Sequence, residues 1–193
     1  MIRAYKIAFT LLRPFVLLLY PHRRLGRENI PEGPCIFCAN HSNFIDPLLL
    51  VYAIWPRFGV HMIAKAELFR IPFLGWAMRR IGAVPVDRGR NDMSAVRTSL
   101  RLLRDGGKLL IFPEGTRVQA DDAVQAKSGA VRMAARAGVP LVPVYIPRGK
   151  RIFRRSDVVI GVPYHVGRDD TRPHEELAEE LMNKIRALAP ISP

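Results

Sequence analysis

Short apolar runs alternate with helical patterns along this 193-residue chain, and the alternation constrains its fold more than any other feature. Each run is long enough for a buried strand but too short for a helix. Strands separated by helices form a parallel sheet that helices cover on both faces. The sequence therefore predicts an α/β fold, a single domain with a largely parallel central sheet flanked by helices. The predicted strands are residues 35–39, 60–64, 83–86, 108–112, 141–146 and 158–161.

Helical patterns lie between these runs and after the last one. Asp46 and Pro47 give one helix an acidic cap and a proline suited to its first turn. Across residues 92–104, apolar side chains recur with the spacing of one helix face. A further helix is expected to begin near Ser128. The last predicted helix carries an apolar face formed by Leu177, Leu181, Ile185 and Leu188.

The N-terminal residues 1–28 differ in character from residues 29–193, which hold all the predicted strands. They are apolar but interrupted by cations, and the uninterrupted run 14–20 is far shorter than the roughly 20 residues a spanning helix needs. No small-residue cleavage site follows, so a removed signal peptide is not expected. We expect an amphipathic membrane-associating helical segment lying in one leaflet. An ordinary N-terminal core helix is the alternative.

The chain is strongly basic, with 30 Lys and Arg against 17 Asp and Glu and a formal charge of +13. So large an excess indicates an anionic partner, which can be a membrane surface, a phosphorylated substrate or nucleic acid. The cations are spread over the chain, and no helix-turn-helix, zinc or RNA-binding signature is visible. We therefore expect no nucleic-acid partner, although a basic nucleic-acid-binding protein is the alternative from a different class.

Cys35 and Cys38 form a C-x-x-C pair inside a predicted strand. Residues three apart on a strand point to opposite faces, so the pair is not expected to act in redox chemistry. No second C-x-x-C is present to complete a zinc site. The sequence predicts buried, reduced thiols and no metal site.

A histidine precedes an aspartate by five positions twice, as His41 with Asp46 and as His165 with Asp170. The first pair follows a buried-type strand and precedes a helix start, which is where function concentrates in open α/β sheets. The second lies in a polar, glycine-containing lead into the last helix, so Asp170 is predicted to cap that helix. Only the first pair is therefore a candidate catalytic site.

Four motifs occur in order: NHSNFIDP at 40–47, GAVPVDR at 82–88, FPEGTR at 112–117 and VPLVPV at 139–144. Together they resemble the motifs of the glycerolipid acyltransferases. Each motif alone is weak, but four in order are specific. The chain departs from the family pattern at Val118, where serine is common.

The resemblance implies transfer of a fatty acyl group from acyl-CoA or acyl-carrier protein to the sn-2 hydroxyl of lysophosphatidic acid, in phospholipid biosynthesis. Another lysophospholipid, or glycerol 3-phosphate, is the alternative acceptor. His41 is predicted to be the general base and Asp46 to orient it, because imidazole titrates near working pH and a carboxylate stabilises the imidazolium. The substrate alcohol is itself the nucleophile, so neither a covalent enzyme intermediate nor a cofactor is expected.

By the same resemblance, Arg88 and Arg117 form the phosphate site with Lys65, and Glu114, Gly115 and Thr116 form a turn at the acceptor site. Glu114 is expected to bond either a glycerol hydroxyl or a neighbouring cation. The basic run that begins at Arg148 fits anionic head groups, carrier phosphates or a solvated face. These expectations describe a peripheral or monotopic enzyme on the cytoplasmic face of the cell membrane.

Overall fold

A seven-stranded sheet forms the centre of the computed structural model, which describes residues 2–54, 60–87, 92–118 and 125–190. Side chains are described for these residues except 2–6 and 8. The strands are β1 (His22–Leu25), β2 (Ile36–Ala39), β3 (Val60–Lys65), β4 (Val84–Val86), β5 (Lys108–Ile111), β6 (Leu141–Tyr145) and β7 (Ser156–Ile160). The α-helices are α1 (Ile2–Leu19), α2 (Asp46–Ala53), α3 (Leu74–Arg80), α4 (Met93–Arg104), α5 (Gly129–Ala137) and α6 (His174–Ala187).

The strand order is β1-β7-β6-β2-β5-β3-β4. Neighbouring strands are parallel except β6 and β7, which are antiparallel. The predicted α/β fold with a largely parallel sheet is confirmed, and all six predicted strands are present. The sequence prediction missed β1, whose residues HRRL lack an apolar run. This strand lies at the edge of the sheet, where alternate side chains face solvent and a polar sequence is tolerated.

Helices cover both faces of the sheet and enclose two main apolar clusters. One cluster lies under α1 and α2, and the other lies under α4, α5 and α6. Cys35 belongs to the first cluster and Cys38 to the second, and both thiols are free and buried. Burial raises the pKa of Cys35 to about 12 and raises the pKa of Cys38 as well. The prediction that both thiols are buried and point to opposite faces of the sheet is therefore confirmed.

Helix α1 packs one face on the core and exposes apolar side chains on the other. Phe9 and Val16 are buried, and the Tyr52 hydroxyl donates a hydrogen bond of 2.9 Å to the Phe9 carbonyl oxygen. The exposed stripe follows the helical repeat and consists of Ile7, Leu11, Phe15 and Leu18. None of the described helices is both long and apolar enough to cross a membrane.

Two predicted helix caps differ from the structure. Helix α6 begins at His174 after Pro173, so the prediction that Asp170 caps it is wrong. Asp170 instead accepts hydrogen bonds from the backbone and side chain of Arg172, within the preceding turn. Asp46 is the first residue of α2, and its carboxylate accepts N–H groups from the turn ahead of the helix.

Candidate active site

The candidate site lies where the parallel strands β2, β5 and β6 end side by side. Asn40, directly after β2, is buried and exchanges two hydrogen bonds with the backbone of Ile146, directly after β6. Its amide nitrogen donates to the Ile146 oxygen at 2.7 Å, and its amide oxygen accepts from the Ile146 nitrogen at 2.8 Å. These two hydrogen bonds hold the backbone in place immediately before His41.

His41 and Asp46 form the predicted pair. His41 Nδ1 lies 3.0 Å from Asp46 Oδ2, and the imidazole stacks on the Phe112 ring with centroids 4.1 Å apart. The same carboxylate oxygen accepts the backbone N–H groups of Ser42 and Asn43, each at 2.7 Å. Because an ionised carboxylate only accepts, Nδ1 is the donor in this contact, and Nε2 is the ring nitrogen that Asp46 does not contact.

Lys150 is a buried partner of the same aspartate. Its side chain is only 1% exposed, and Nζ lies 2.7 Å from Asp46 Oδ1. The ammonium also donates to Ser42 Oγ at 3.0 Å and to the Pro147 carbonyl oxygen. Thus His41 and Lys150 engage different oxygens of one carboxylate, and the three side chains form a single network.

Two opposing effects set the ionisation of this network. Burial disfavours the charged forms, and the contacts between oppositely charged groups favour them. Burial alone would raise the pKa of Asp46, but the contacts from His41 and Lys150 and the Asn43 N–H hold that pKa below its ordinary value. Burial lowers the pKa of Lys150, although the Asp46 charge opposes the shift. Asp46 is therefore a carboxylate at neutral pH and can stabilise a positive charge forming on His41.

Glu114 connects the turn after β5 to the backbone of His41. Its Oε2 accepts the His41 backbone N–H at 2.8 Å, and its Oε1 accepts Arg148 Nη2 at 2.7 Å. Arg148 also donates to the Val118 carbonyl oxygen, and the Val118 N–H donates to the His41 carbonyl oxygen at 2.8 Å. Of the two expectations for Glu114, the bond to a neighbouring cation is the one observed.

The other residues of the predicted acceptor turn lie beside this network. Gly115 has a φ of 66°, and a Cβ there would come within 2.7 Å of Lys127 Cε, so both conformation and space favour glycine. Thr116 is exposed. The turn also borders a groove of about 1170 Å³ between α4 and α5, whose apolar wall includes Ile111 and Phe112.

The cations predicted to bind phosphate do not share one environment. Arg117 is exposed and directly precedes Val118, which bonds the His41 backbone. Lys65 ends β3 with its side chain half exposed, and Nζ lies 3.0 Å from Glu67 Oε1. The prediction for Arg88 falls outside the described residues.

Arg148 and Lys150 are site residues that the sequence reasoning did not identify. It treated them as part of a basic run suited to head groups, carrier phosphates or solvent. A usable signal was present, because they follow the predicted strand 141–146 and so lie at the same carboxyl edge as His41. Among the described residues, no group of His, Cys, Asp and Glu side chains is arranged to hold a metal ion.

The sequence of this chain matches a known protein family. The family model described as Acyltransferase matches residues 23–147, and the chain belongs to this family. A 1-acyl-sn-glycerol-3-phosphate acyltransferase of Bacillus subtilis is 31% identical over 95% of this chain and 96% of its own length. An enzyme of the same name from Pseudomonas aeruginosa is 28% identical over 87% of this chain and 69% of its own.

A solved structure is similar over the whole chain. The crystal structure of the 1-acyl-sn-glycerophosphate (LPA) acyltransferase, PlsC, from Thermotoga maritima has a TM-score of 0.69 and 25% identity, and covers 100% of this chain and 81% of that chain. Together with the family match, these relatives identify the chain as an O-acyltransferase.

Proposed function

We propose that the chain transfers a fatty acyl group from acyl-CoA or acyl-carrier protein to the sn-2 hydroxyl of 1-acyl-glycerol-3-phosphate, giving phosphatidic acid. The observation that carries the proposal is the His41–Asp46 pair, whose Nε2 is left for a substrate hydroxyl. The acceptor is supported by the names of the relatives, since the Bacillus subtilis and Pseudomonas aeruginosa proteins are both 1-acyl-sn-glycerol-3-phosphate acyltransferases.

The chemistry requires one proton to move twice. His41 Nε2 takes the proton of the acceptor hydroxyl while that oxygen attacks the thioester carbonyl carbon. The imidazolium is stabilised by Asp46, whose Oδ2 lies 3.0 Å from Nδ1. When the tetrahedral intermediate collapses, the carbon–sulfur bond breaks and His41 returns the proton to the departing thiolate. The products are the ester and a free thiol, and the enzyme regains its starting protonation state.

The acceptor phosphate is proposed to bind Arg117, with Arg88 and Lys65 as further cations. The support for Arg117 is its exposure and its position one residue before the Val118–His41 hydrogen bond. A guanidinium at this place can present paired donors to phosphate oxygens.

An acyl-transfer assay of the purified chain tests this function. Lysophosphatidic acid, lysophosphatidylcholine and glycerol 3-phosphate are each offered with acyl-CoA and with acyl-carrier protein. We expect phosphatidic acid as the main product, with lysophosphatidic acid having the highest kcat/KM. The Arg117→Ala variant is expected to raise the KM for lysophosphatidic acid about tenfold, because a hydrogen bond to a charged group is lost.

The matched control for Arg117 is Arg101→Ala, which removes an exposed arginine from α4. The KM for the acyl donor is expected to stay unchanged in both variants. A wild-type protein that leaves lysophosphatidic acid unmodified with either donor contradicts the proposed function. Equal increases in both KM values for Arg117→Ala contradict the phosphate role alone.

The enzyme is further proposed to work on the cytoplasmic face of the membrane, held by α1. The support is the exposed apolar stripe of that helix, in which Leu11, Phe15 and Leu18 are each exposed by about two thirds. Such a stripe on a basic protein suits insertion into the head-group region of an anionic bilayer.

Vesicle sedimentation checks the membrane proposal. The triple variant Leu11→Ser, Phe15→Ser, Leu18→Ser is expected to bind phospholipid vesicles at least about tenfold more weakly, because three large apolar side chains no longer leave water. Its thermal unfolding is measured alongside, since these exposed positions contribute little to the core. Undiminished vesicle binding by the folded variant contradicts the role of α1.

A further inference from the structure

The connection between β6 and β7 presents two apolar side chains to solvent. Ile152 is 52% exposed and Phe153 is 67% exposed. Phe153 also has a φ of 63°, a left-handed conformation that is unfavourable for an aromatic residue. Phe153 therefore combines an exposed apolar side chain with an unfavourable backbone conformation, and burial within the protein does not explain this combination.

These side chains lie beside the end of α1. The Phe153 N–H donates a hydrogen bond of 2.7 Å to the carbonyl oxygen of Leu19, the last residue of α1. Three residues later, the Ser156 N–H donates to the Pro21 carbonyl oxygen at 3.0 Å. The residues 151–155, here called the β6–β7 segment, are thus attached to the helix that carries the exposed apolar stripe.

The same segment is rich in cations. Arg151, Arg154 and Arg155 are exposed and line a cleft of about 670 Å³ together with Arg23. Among the described residues lining this cleft, the acidic one is Asp157, and Arg23 already pairs with it at 2.6 Å. The surface around Ile152 and Phe153 therefore carries a net positive charge.

We infer that the β6–β7 segment is a second membrane contact, separate from α1, which inserts Ile152 and Phe153 among lipids while its arginines bind anionic head groups. Apolar residues rimmed by arginine complement both regions of an anionic bilayer surface. The inference rests on the proposed function, because a bilayer is the source of the lipid acceptor.

The position of the segment gives this contact a consequence for catalysis. Lys150 immediately precedes it and pairs with Asp46 at 2.7 Å, and Arg148 pairs with Glu114 at 2.7 Å. One short connection therefore joins the bilayer surface to the groups that hold His41. An anionic lipid acceptor would meet the catalytic pair at the level of the phospholipid head groups.

Vesicle sedimentation without substrates tests the inference. Vesicles of phosphatidylcholine alone are compared with vesicles that also contain phosphatidylglycerol. The double variant Ile152→Ser, Phe153→Ser is expected to bind both kinds about tenfold more weakly. The double variant Arg151→Ser, Arg154→Ser is expected to lose about tenfold only on the anionic vesicles, so the preference for phosphatidylglycerol falls.

Two matched controls separate this segment from general surface effects. Val162→Ser removes another exposed apolar side chain, 72% exposed, beyond the opposite end of β7. The double variant Arg101→Ser, Arg104→Ser removes two exposed charges from α4. Equal losses in variant and control overturn the inference, because they show only a dependence on total apolar surface or total charge.

One further result overturns it in a different way. If Arg151→Ser, Arg154→Ser leaves vesicle binding intact but raises the KM for acyl-CoA, the cleft serves the phosphates of the donor. Because the sedimentation assay contains neither substrate, it gives its answer whether or not the chain transfers acyl groups. Failure of this inference and failure of the proposed function are thus distinguishable.

Discussion

Replacing His41 by alanine is expected to lower kcat for acyl transfer by about a thousandfold, the usual scale for loss of a general base. Without the imidazole, the acceptor hydroxyl must attack while it keeps its proton. The remaining activity reflects positioning of the two substrates, so the KM values should change much less than kcat. The measurement is steady-state kinetics with both substrates varied.

The variant should remain folded, because the other bonds to Asp46 do not involve the imidazole. Lys150, Ser42 N–H and Asn43 N–H still contact the carboxylate in the absence of the ring. Thermal unfolding therefore serves as the control that separates lost catalysis from lost structure. As a comparison, His165→Ala removes the histidine of the second His-x4-Asp pair, which is exposed and lies away from the site. Full activity in the folded His41→Ala protein contradicts the role of the base.

The sequence predicts the fold well because most of the sheet is buried. Strands covered on both faces need continuous apolar runs, and such runs are visible without a structure. Strand β1 was not predicted, because an edge strand keeps one row of side chains in water and so lacks a continuous apolar run. Its Arg23 pairs with Asp157 on β7, a contact between residues far apart in the chain that no local pattern reveals.

The contact between His41 and Asp46 could be predicted because one local motif holds both residues. His41 and Asp46 lie within one turn, so their spacing and position after a strand are enough to bring them together. Lys150 reaches Asp46 across more than a hundred residues, through the pairing of β2 with β6. A lysine in a basic run is normally solvated, and only the tertiary structure shows that this one is buried.

This buried lysine provides the second prediction of large effect. Lys150→Met is expected to destabilise the fold by about 3 kcal/mol, because removing one partner of a buried ion pair leaves the other charge uncompensated. The remaining donors to Asp46 keep the loss from being larger. The measurement is the free energy of unfolding from denaturant titration at neutral pH. Lys184→Met is the matched control, because its ion pair with Glu180, at 3.3 Å, is exposed and should contribute less than about 1 kcal/mol.

The loss of stability caused by Lys150→Met is expected to depend on pH, and the direction follows from the pKa of Asp46. The pKa of Asp46 in the folded protein lies below its ordinary value of 3.8, so its ionised form stabilises the fold above that pH. This stabilisation disappears as the pH falls through the folded-state pKa. A protonated Asp46 no longer needs a cation beside it, so the difference in stability between wild type and Lys150→Met should narrow in acid.

A double-mutant cycle shows whether Lys150→Met destabilises the fold through lost charge pairing or through lost packing. Asp46→Asn removes the charge that Lys150 neutralises, so adding Lys150→Met to Asp46→Asn should cost less than Lys150→Met costs in the wild type. An equal cost in both backgrounds would show that Lys150 acts through packing of its aliphatic stem. A reduced cost means that the lysine stabilises the charged Asp46, the same charge that is proposed to balance the imidazolium of His41 during acyl transfer.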